Sequence, residues 1–494
     1  MTTAVAPEAP SSDDQDHRLD RLGWAAVAVI TAIVGLSWFP VLDASWGNNH
    51  EGRVFARLAL QVRNLHELGI RGSDLGTSWV PYASHAYAHH PPMADLLSQL
   101  VGLLPGEAEW QVRLTPYLLG LLALPSAAWL LRELKIRWVP TLLAVGLLAS
   151  AAMFWVYGRI VWDIGPALAM TAAVVGVARR PTPSRRRLVA AGALCVFAIM
   201  TGWLCVAFAA GLGLWLLLQR RFDRVTLWIG GSMVLGIVVT MLFVVGLAGT
   251  SELGSQTSTR TGTGGRSFGE YLRLEAGRLR DLFPLWSIAL MPAGVIAGLV
   301  RRDTRSLVAV RTLVATGWIL LLRQGSTVHD YWMFSLLVPF VAGVGILLDQ
   351  VWRALPPWRT VAAAITGVAI AASFLVMVLG DTARTYVTDP LDAGTLAEAQ
   401  PPAPGQQYAW EVGTLPGRWL AYYWNLHPVP TTAAPLRAIP DDDLVFVDGG
   451  DLPNWLEPSV LDHPVARRGH YYVVTAEQVK RSVIPMRDRV PDPN

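Results

Sequence analysis

The sequence predicts an all-α polytopic membrane protein with about eleven transmembrane helices, followed by a small mixed α/β domain at the C-terminus. Three observations lead to this fold class. Only 16% of the 494 residues are charged and 52% are hydrophobic, with a mean hydropathy of +0.38, whereas about 25% of the residues in soluble domains are charged. Several apolar runs reach the roughly 20 residues that cross a bilayer as a helix. Tryptophan, which favours membrane interfaces, occurs 21 times.

The apolar runs divide the chain into three parts. Residues 1–21 are predicted to form a disordered cytoplasmic tail, residues 22–380 the transmembrane module, and residues 381–494 a domain outside the cytoplasm. The first run is too long for the core of a cleavable signal peptide. A long apolar stretch is divided near Thr201-Gly202 into two spans. The predicted spans are 22–42, 112–131, 138–157, 163–178, 188–201, 203–219, 225–248, 283–300, 306–322, 331–349 and 359–380.

Basic residues fall in every second connection between the predicted spans. Lysine and arginine accumulate in short cytoplasmic loops, so this alternation places the N-terminus inside. With an odd number of spans, the C-terminus then lies outside. The clusters are Arg18 and Arg21; Arg132, Lys135 and Arg137; Arg179, Arg180, Arg185, Arg186 and Arg187; Arg220, Arg221 and Arg224; Arg301, Arg302 and Arg305; and Arg353 and Arg359.

Three long pieces are predicted to lie outside. They are the first outer loop, 43–111; a Gly-, Ser- and Thr-rich piece, 249–282; and the C-terminal tail. The tail contains two strand-like runs, 444–447 and 471–474, between Pro and Asp clusters, which indicates a small α/β domain.

The distribution of titratable residues favours chemistry at the outer face. Nine of the ten histidines fall outside under this topology, His17 being the exception. The spans contain almost no acid or base apart from Arg311, whereas a transporter or pump would carry such groups near mid-membrane. The net charge of +3 and the absence of a nucleic-acid motif argue against nucleic-acid binding. Cys195 and Cys205 lie in apolar segments, which argues against a disulfide framework.

The first outer loop begins with a predicted amphipathic helix from Glu51 to Leu68. Such a helix is expected to lie in the membrane interface. Glu51 lies in its first turn, where the helix dipole favours a carboxylate. Glu51 therefore either caps the helix or takes part in chemistry. The apolar stripe is Val54, Phe55, Leu58, Val62 and Leu65, and the polar stripe is Arg53, Arg57, Gln61 and Asn64.

A His-His-Pro-Pro segment, residues 89–92, precedes a second predicted amphipathic helix in the same loop. Proline suits the first helical turn, and the N–H groups at a helix start form a ready phosphate site beside His90. The alternative is a histidine-rich loop at a wet interface. The apolar face is Met93, Leu96, Leu97, Leu100, Val101 and Leu104.

Two smaller groups complete the predicted outer face. Arg159 and Asp163 flank the turn between the third and fourth spans. The second group precedes the tenth span and contains Arg323, His329, Asp330 and Tyr331. Each residue alone is typical of an interfacial anchor or a structural ion pair, and their common face is what suggests a site.

The order of these motifs resembles the GT-C membrane glycosyltransferases. The likeness is to the family-39-like group, which contains the protein O-mannosyltransferases and lipid A aminoarabinose transferases. The family pattern has an acidic motif after the first span, a His-Pro-Pro or Lys-Pro-Pro motif, and a Val-Arg-Leu-Pro-like start to the next span. The corresponding residues here are His50-Glu51, His90-Pro91-Pro92, Val112 to Pro116, Gly158-Arg159 to Asp163, and Arg323 to Pro339, within roughly residues 23–350.

The resemblance implies an inverting glycosyltransferase at the outer face of the cell membrane. Its donor would be a polyprenyl-phosphate sugar, and its acceptor a hydroxyl on a lipid, a cell-envelope glycan or a protein. A carboxylate would take the acceptor proton, while arginines and a helix N-terminus hold the leaving phosphate. The implied phosphate-binding residues are His90, Arg159, Arg323 and Tyr331. Other candidate site residues, without an assigned role, are Arg53, His89, His329 and Asp330.

The identity of the base stays open, because many relatives have Asp-Glu where this chain has His50-Glu51. Glu51 is the retained acid, and His50, Asp163 and Asp43 are the alternatives. No cofactor is firmly implied, although His50, Glu51, His89 and His90 are suitable ligand types for a divalent metal. Two other functions remain: a transporter of polyprenyl-linked glycans, and a non-catalytic membrane scaffold with an outer binding domain.

Overall fold

The computed structural model describes residues 12–84, 87–88, 90–105, 109–219, 223–262, 265–413, 417–432 and 435–484. Most of these residues are helical. The helices of the first half are α1 (Ser12–Trp38), α2 (His50–Gly72), α3 (Met93–Gly102), α4 (Glu109–Leu121), α5 (Ala123–Glu133), α6 (Trp138–Ala149), α7 (Ala152–Tyr157), α8 (Ile164–Ala178), α9 (Arg185–Thr201), α10 (Trp203–Leu218) and α11 (Arg224–Thr261).

The second half continues with helices and ends in a sheet. The helices are α12 (Phe268–Leu282), α13 (Leu285–Val300), α14 (Arg305–Leu321), α15 (Arg323–Val328), α16 (Leu337–Ala354), α17 (Arg359–Leu379), α18 (Asp381–Ala383), α19 (Asp389–Ala399), α20 (Arg418–Trp424) and α21 (Ala476–Arg481). A 3-10 helix, Asp330–Leu336, leads into α16. The strands are β1 (Tyr408–Val412), β2 (His427–Pro430), β3 (Leu444–Asp448), β4 (Ala466–Arg468) and β5 (Tyr471–Thr475).

Each predicted span coincides with one or two of these helices. The predicted division near Thr201-Gly202 is confirmed, because α9 ends at Thr201 and α10 begins at Trp203. Within the described residues, five helices are long and apolar enough to cross a membrane, or six if the bent pair α12–α13 forms one span. Others are shorter: α8 has 15 residues, which at 1.5 Å per residue spans about 22 Å. The count of eleven spans and the orientation stay predictions.

Helices extend into two segments where the sequence predicted none. α1 begins at Ser12, inside the tail that was predicted to be disordered, because adding turns to an existing helix costs little once it has nucleated. The Gly-, Ser- and Thr-rich piece also differs from its composition: α11 continues to Thr261 past a break at Gly249, whose φ of 79° suits glycine. α12 then follows, opened by a capping box in which Ser267 and Glu270 bond each other's backbone N–H groups.

The chain forms two compact units. The first contains residues 1–37, 119–239 and 257–376, and the second contains 38–118, 240–256 and 377–494. Within the first unit α5 packs against α8 and α13 against α16. Gly294 and Gly343 lie at the α13–α16 crossing, where a Cβ on Gly294 would come within 2.6 Å of the Gly343 backbone. Small residues of this kind let membrane helices approach closely.

The second unit combines the predicted first outer loop with the C-terminal tail. The tail folds into a five-stranded sheet in the order β2-β1-β3-β5-β4, which confirms the predicted small α/β domain. β1 pairs in parallel with β2 and β3, whereas β5 runs antiparallel to β3 and β4. One face of the sheet carries the domain core, which includes Val412, Val445, Val447, Tyr472 and Val474.

Candidate active site

Glu51 is buried at the start of α2, with 3% of its surface exposed. The N-cap of this helix is Asn49, whose side-chain oxygen accepts the Gly52 N–H at 2.7 Å. Glu51 is therefore not needed as the cap. The Tyr117 hydroxyl donates to Glu51 Oε1 at 2.8 Å, and Arg113 Nε lies 3.4 Å from the same oxygen. These two contacts hold the carboxylate in one orientation.

Arg113 joins Glu51 to the chain segment that precedes α2. It is fully buried, and its guanidinium donates to the carbonyl oxygens of Leu42, Ala44 and Ser45. Its guanidinium carbon lies 4.4 Å from the centre of the Trp46 ring. Since a buried guanidinium needs both charge and hydrogen-bond partners, this set fixes the loop around the carboxylate.

The two other candidate bases in this unit are more accessible than Glu51. His50 is the half-buried first residue of α2, and Asp43 is exposed on the loop whose carbonyl groups Arg113 binds. Arg53, one turn of α2 further on, is half-buried.

The polar stripe of α2 packs inside the unit instead of facing water. Arg57 is 2% exposed and binds Asp95 of α3 through two hydrogen bonds, Nη1 to Oδ2 at 2.6 Å and Nη2 to Oδ1 at 3.2 Å. Gln61 and Asn64 are buried too and donate to backbone carbonyls of Thr77, Ser78 and Val80. The stripe therefore holds α3 and the connecting loop against α2.

His90 precedes α3, and its ring lies 5.6 Å from the Tyr87 ring in a stacked arrangement. The Tyr87 ring also contacts the Arg57 guanidinium, at 4.3 Å. Pro92 is the N-cap of α3, and Asp95 lies in its first turn. A phosphate at this helix start would therefore meet a carboxylate already neutralised by Arg57. His89 lies outside the described residues.

In the first unit, the predicted residues around the tenth span form a cluster with the end of α7. The Tyr157 hydroxyl donates to Asp330 Oδ2 at 2.5 Å. The Tyr331 ring lies 6.0 Å from the Tyr157 ring and 5.0 Å from the His329 ring. Arg159 is fully buried, with its guanidinium 5.3 Å from the Trp155 ring. Tyr157 was not singled out from the sequence.

Arg323 packs against α12, a helix that the sequence analysis missed. Its guanidinium lies 5.4 Å from the Phe268 ring and 5.2 Å from the Tyr271 ring, and Nη2 donates to the Arg266 carbonyl at 3.3 Å. On the next turns of α12, Glu275 accepts from Ser326 Oγ at 2.8 Å and from Arg278 at 3.0 Å. The capping pattern of Ser267 and Glu270 is the sequence signal that could have revealed this helix.

Asp163 makes a structural contact. Its carboxylate accepts the backbone N–H of Leu204, so it satisfies the first turn of α10 across the break at Gly202. The fit is tight, because a Cβ on Gly202 would lie 1.9 Å from Asp163 Oδ2. The role of Asp163 as an alternative base stays a prediction.

The candidate residues divide between the two units. His50, Glu51, Asp43, Arg53 and His90 belong to the second, and Arg159, Asp163, Arg323, His329, Asp330 and Tyr331 to the first. Their convergence on one cavity stays a prediction. Among the described residues, no group of three or more His, Cys, Asp or Glu side chains could hold a metal ion.

Known proteins resemble this chain in sequence over part of its length and in fold over most of it. The family model of the dolichyl-phosphate-mannose-protein mannosyltransferases matches residues 81–253. The crystal structure of ArnT from Cupriavidus metallidurans bound to undecaprenyl phosphate is similar with a TM-score of 0.57 and 17% identity, covering 94% of this chain and 99% of that chain. Its apo structure gives a TM-score of 0.51 at 17% identity, covering 94% and 100%. No curated protein matches the sequence.

The sequence likeness and the fold likeness cover different shares of the chain. The sequence match covers the end of the first outer loop and the helices up to α11, whereas the fold match covers 94% of the chain. This chain therefore has the fold of ArnT, and its resemblance to the GT-C membrane glycosyltransferases is confirmed.

Proposed function

We propose that this chain transfers a sugar from a polyprenyl-phosphate donor to a hydroxyl group on a lipid, a cell-envelope glycan or a protein, at the outer face of the cell membrane. The observation that carries the proposal is the buried Glu51 carboxylate, held by Tyr117 and Arg113 beside the loop that follows the first apolar helix. The mannosyltransferase family match and the ArnT fold support the reaction class.

Glu51 is the proposed base. As the acceptor oxygen attacks the anomeric carbon from the face opposite the phosphate, its proton passes to the carboxylate. The bond between the anomeric carbon and the phosphate oxygen breaks, and polyprenyl phosphate leaves with the bonding electrons. Attack from the opposite face inverts the anomeric centre. A carboxylate suits this step only when its orientation is fixed, and the contacts of Oε1 with Tyr117 and Arg113 provide that.

Arg159, Arg323 and the residues around His90 are the proposed partners of the donor phosphate. Arginine presents a planar, permanently charged fork that matches phosphate oxygens. The crystal structure of ArnT contains undecaprenyl phosphate, which supports a polyprenyl lipid as donor here. Tyr331, which packs beside Tyr157 and His329, is a further proposed contact of the donor.

The alternative function, transport of polyprenyl-linked glycans, is disfavoured by the contacts of Arg311. This arginine is the main charged residue within the predicted spans. It is 1% exposed, and its guanidinium donates to the Phe208 carbonyl at 3.0 Å and to Thr171 Oγ1 at 2.6 Å. These bonds tie α14 to α10 and α8, which gives the charge a structural role in place of a translocation pathway.

Transfer assays with purified protein in detergent test the proposal. A panel of synthetic polyprenyl-phosphate sugars is offered with a membrane extract as acceptor, and released polyprenyl phosphate is measured. Glu51→Gln should lower the transfer rate by about 10²–10⁴-fold, the usual contribution of a general base. Glu67→Gln, an exposed carboxylate on the same helix, is the matched control and should transfer normally.

Two results would contradict this function. If the parent protein turns over no donor in the panel, the result favours the alternative of a non-catalytic membrane scaffold. If Glu51→Gln retains full activity, the base is Asp43, His50 or Asp163 instead.

A further inference from the structure

A second group of charged side chains lies in the second unit, between the first outer loop and the C-terminal sheet. Glu411 is on β1, between Trp410 and Val412, which both contribute to the core on one face of the sheet. Because side chains alternate along a strand, Glu411 points to the opposite face. Arg418 begins α20 and Arg53 lies on α2.

Buried polar atoms in this group lack hydrogen-bond partners within the described part of the chain. Glu411 is 6% exposed; its Oε2 accepts the Gly417 N–H at 2.8 Å, whereas its buried Oε1 has no partner. The Nε atoms of Arg53 and Arg418 are also buried without a partner. An unsatisfied buried polar group costs about 1–3 kcal/mol, and more when it is charged. Three such atoms in neighbouring side chains indicate a ligand that supplies the missing partners.

The two guanidinium groups repel each other. The pKa of Arg53 is lowered, first by burial and then by the positive charge of Arg418, and the opposing effects of Tyr82, Tyr471 and Glu411 are smaller. An anion between the two arginines would relieve the repulsion and accept their N–H groups.

Aromatic rings border the arginines. The Arg418 guanidinium carbon lies 5.0 Å from the centre of the Trp79 ring and 5.4 Å from that of Tyr82. Trp79 packs with Leu60 and Ala421 in a small apolar cluster, to which Tyr82 adds. The site formed by Arg53, Arg418, Glu411, Trp79 and Tyr82 therefore combines positive charge, a hydrogen-bond acceptor and an apolar wall. These five residues form the arginine–aromatic site.

We propose that the arginine–aromatic site binds a sugar carrying a phosphate or carboxylate group, as part of the acceptor. The arginines bind the anionic group, and Glu411 accepts a hydroxyl hydrogen. The half-buried Tyr82 ring, itself packed against the buried Trp79, contacts the apolar face of the sugar ring. That the bound sugar belongs to the acceptor rests on the proposed glycosyl transfer, whereas its binding at this site does not.

Calorimetric titration of the full-length protein in detergent, without donor, tests the binding. The probes are glucose 6-phosphate, glucuronate, methyl glucoside and inorganic phosphate. We expect the two anionic sugars to bind with dissociation constants of about 1 mM, and the other two at least about tenfold more weakly. Arg418→Ala should weaken binding of the anionic sugars by about 10–100-fold, because each charge-assisted hydrogen bond contributes about 1.5–3 kcal/mol.

Two further variants separate loss of binding from loss of folding. Arg418→Lys keeps the charge but loses the planar fork, and should still weaken binding about tenfold while the unfolding temperature stays at the parent value. Arg481→Ala removes an arginine from α21, 76% of whose side chain is exposed, and should bind as the parent does.

Three results would overturn the proposal. They are no binding of either anionic sugar, unchanged binding in both Arg418 variants, or inorganic phosphate binding as tightly as glucose 6-phosphate, which would indicate a simple anion site. Glu51→Gln should keep full binding. If the protein binds the anionic sugars but transfers no sugar, the proposed function is contradicted and the proposed binding site is not. If it transfers sugar but binds neither anionic sugar, the binding site is contradicted and the proposed function is not.

Discussion

The ion pair between Arg57 and Asp95 holds the two helices of the first outer loop together, and its loss should be measurable as stability. Asp95→Asn removes the negative charge and leaves the Arg57 guanidinium, 2% exposed, without its counter-ion. Breaking a buried pair in this way costs about 3–5 kcal/mol. We expect the low end, about 3 kcal/mol, because the Asp95 side chain is 15% exposed and Gln61 Oε1 also accepts from Arg57, at 3.1 Å.

Denaturant titration of the purified protein in mixed micelles, followed by tryptophan fluorescence, measures this loss. Asp74→Asn is the matched control, because Asp74 is exposed in the same loop and its φ of 52° is one that asparagine also adopts. The control should stay within about 0.5 kcal/mol of the parent. If Asp95→Asn is no less stable than Asp74→Asn, the ion pair does not hold α3 against α2, and the polar stripe of α2 does not have the stabilising role described above.

Three other predictions test different parts of the molecule. Arg159→Lys and Arg323→Lys should each weaken donor use markedly with normal membrane insertion, since lysine keeps the charge but not the bidentate geometry; turnover like the parent in both would place the phosphate elsewhere. A cysteine introduced at position 260 should be labelled from outside intact cells, and one at position 183 should not; the reverse pattern would invert the orientation. Burial raises the pKa of Glu411 from 4.5 to about 7, so folding stability should fall by up to about 3 kcal/mol between pH 4.5 and 7. The folded state holds the proton that the unfolded state loses over that range, and Glu411→Gln should flatten the profile; an unchanged slope in that variant would assign the effect to another group.

Apolar runs and their periodicity predicted the helices well, because the secondary structure of a segment depends largely on its own sequence. The period of Phe55 and Leu58 indicated α2, and the abrupt Thr201-Gly202 junction indicated the break before α10. The strand-like runs that became β3 and β5 were rich in Val, Phe and Tyr. β2 was missed because two of its four residues are proline, which argues against a strand.

Contacts between residues that are far apart in the sequence could not be predicted from such patterns. Nothing near Arg57 indicates that its counter-ion is Asp95, 38 residues away, or that the polar stripe of α2 is buried. The bond from the Leu204 N–H to Asp163 could not be predicted either, because α10 begins far along the chain from Asp163. The charges of Glu411 and Arg418 act on Arg53 of the first outer loop, and no spacing in the sequence predicts that these residues lie near one another.

The face that α3 turns away from α2 has a practical consequence for handling this protein. The buried face of α3 is made of small or polar residues, including Ser98 and Gly102, while Leu100, Leu103 and Leu104 are 61%, 52% and 48% exposed. Leucines in such positions need an apolar surrounding. We therefore expect the loop and sheet, expressed together without the spans, to aggregate in water through these leucines, even though they form one compact unit. Crystallisation or binding work on that fragment would need bicelles, nanodiscs or leucine-to-polar substitutions from the outset.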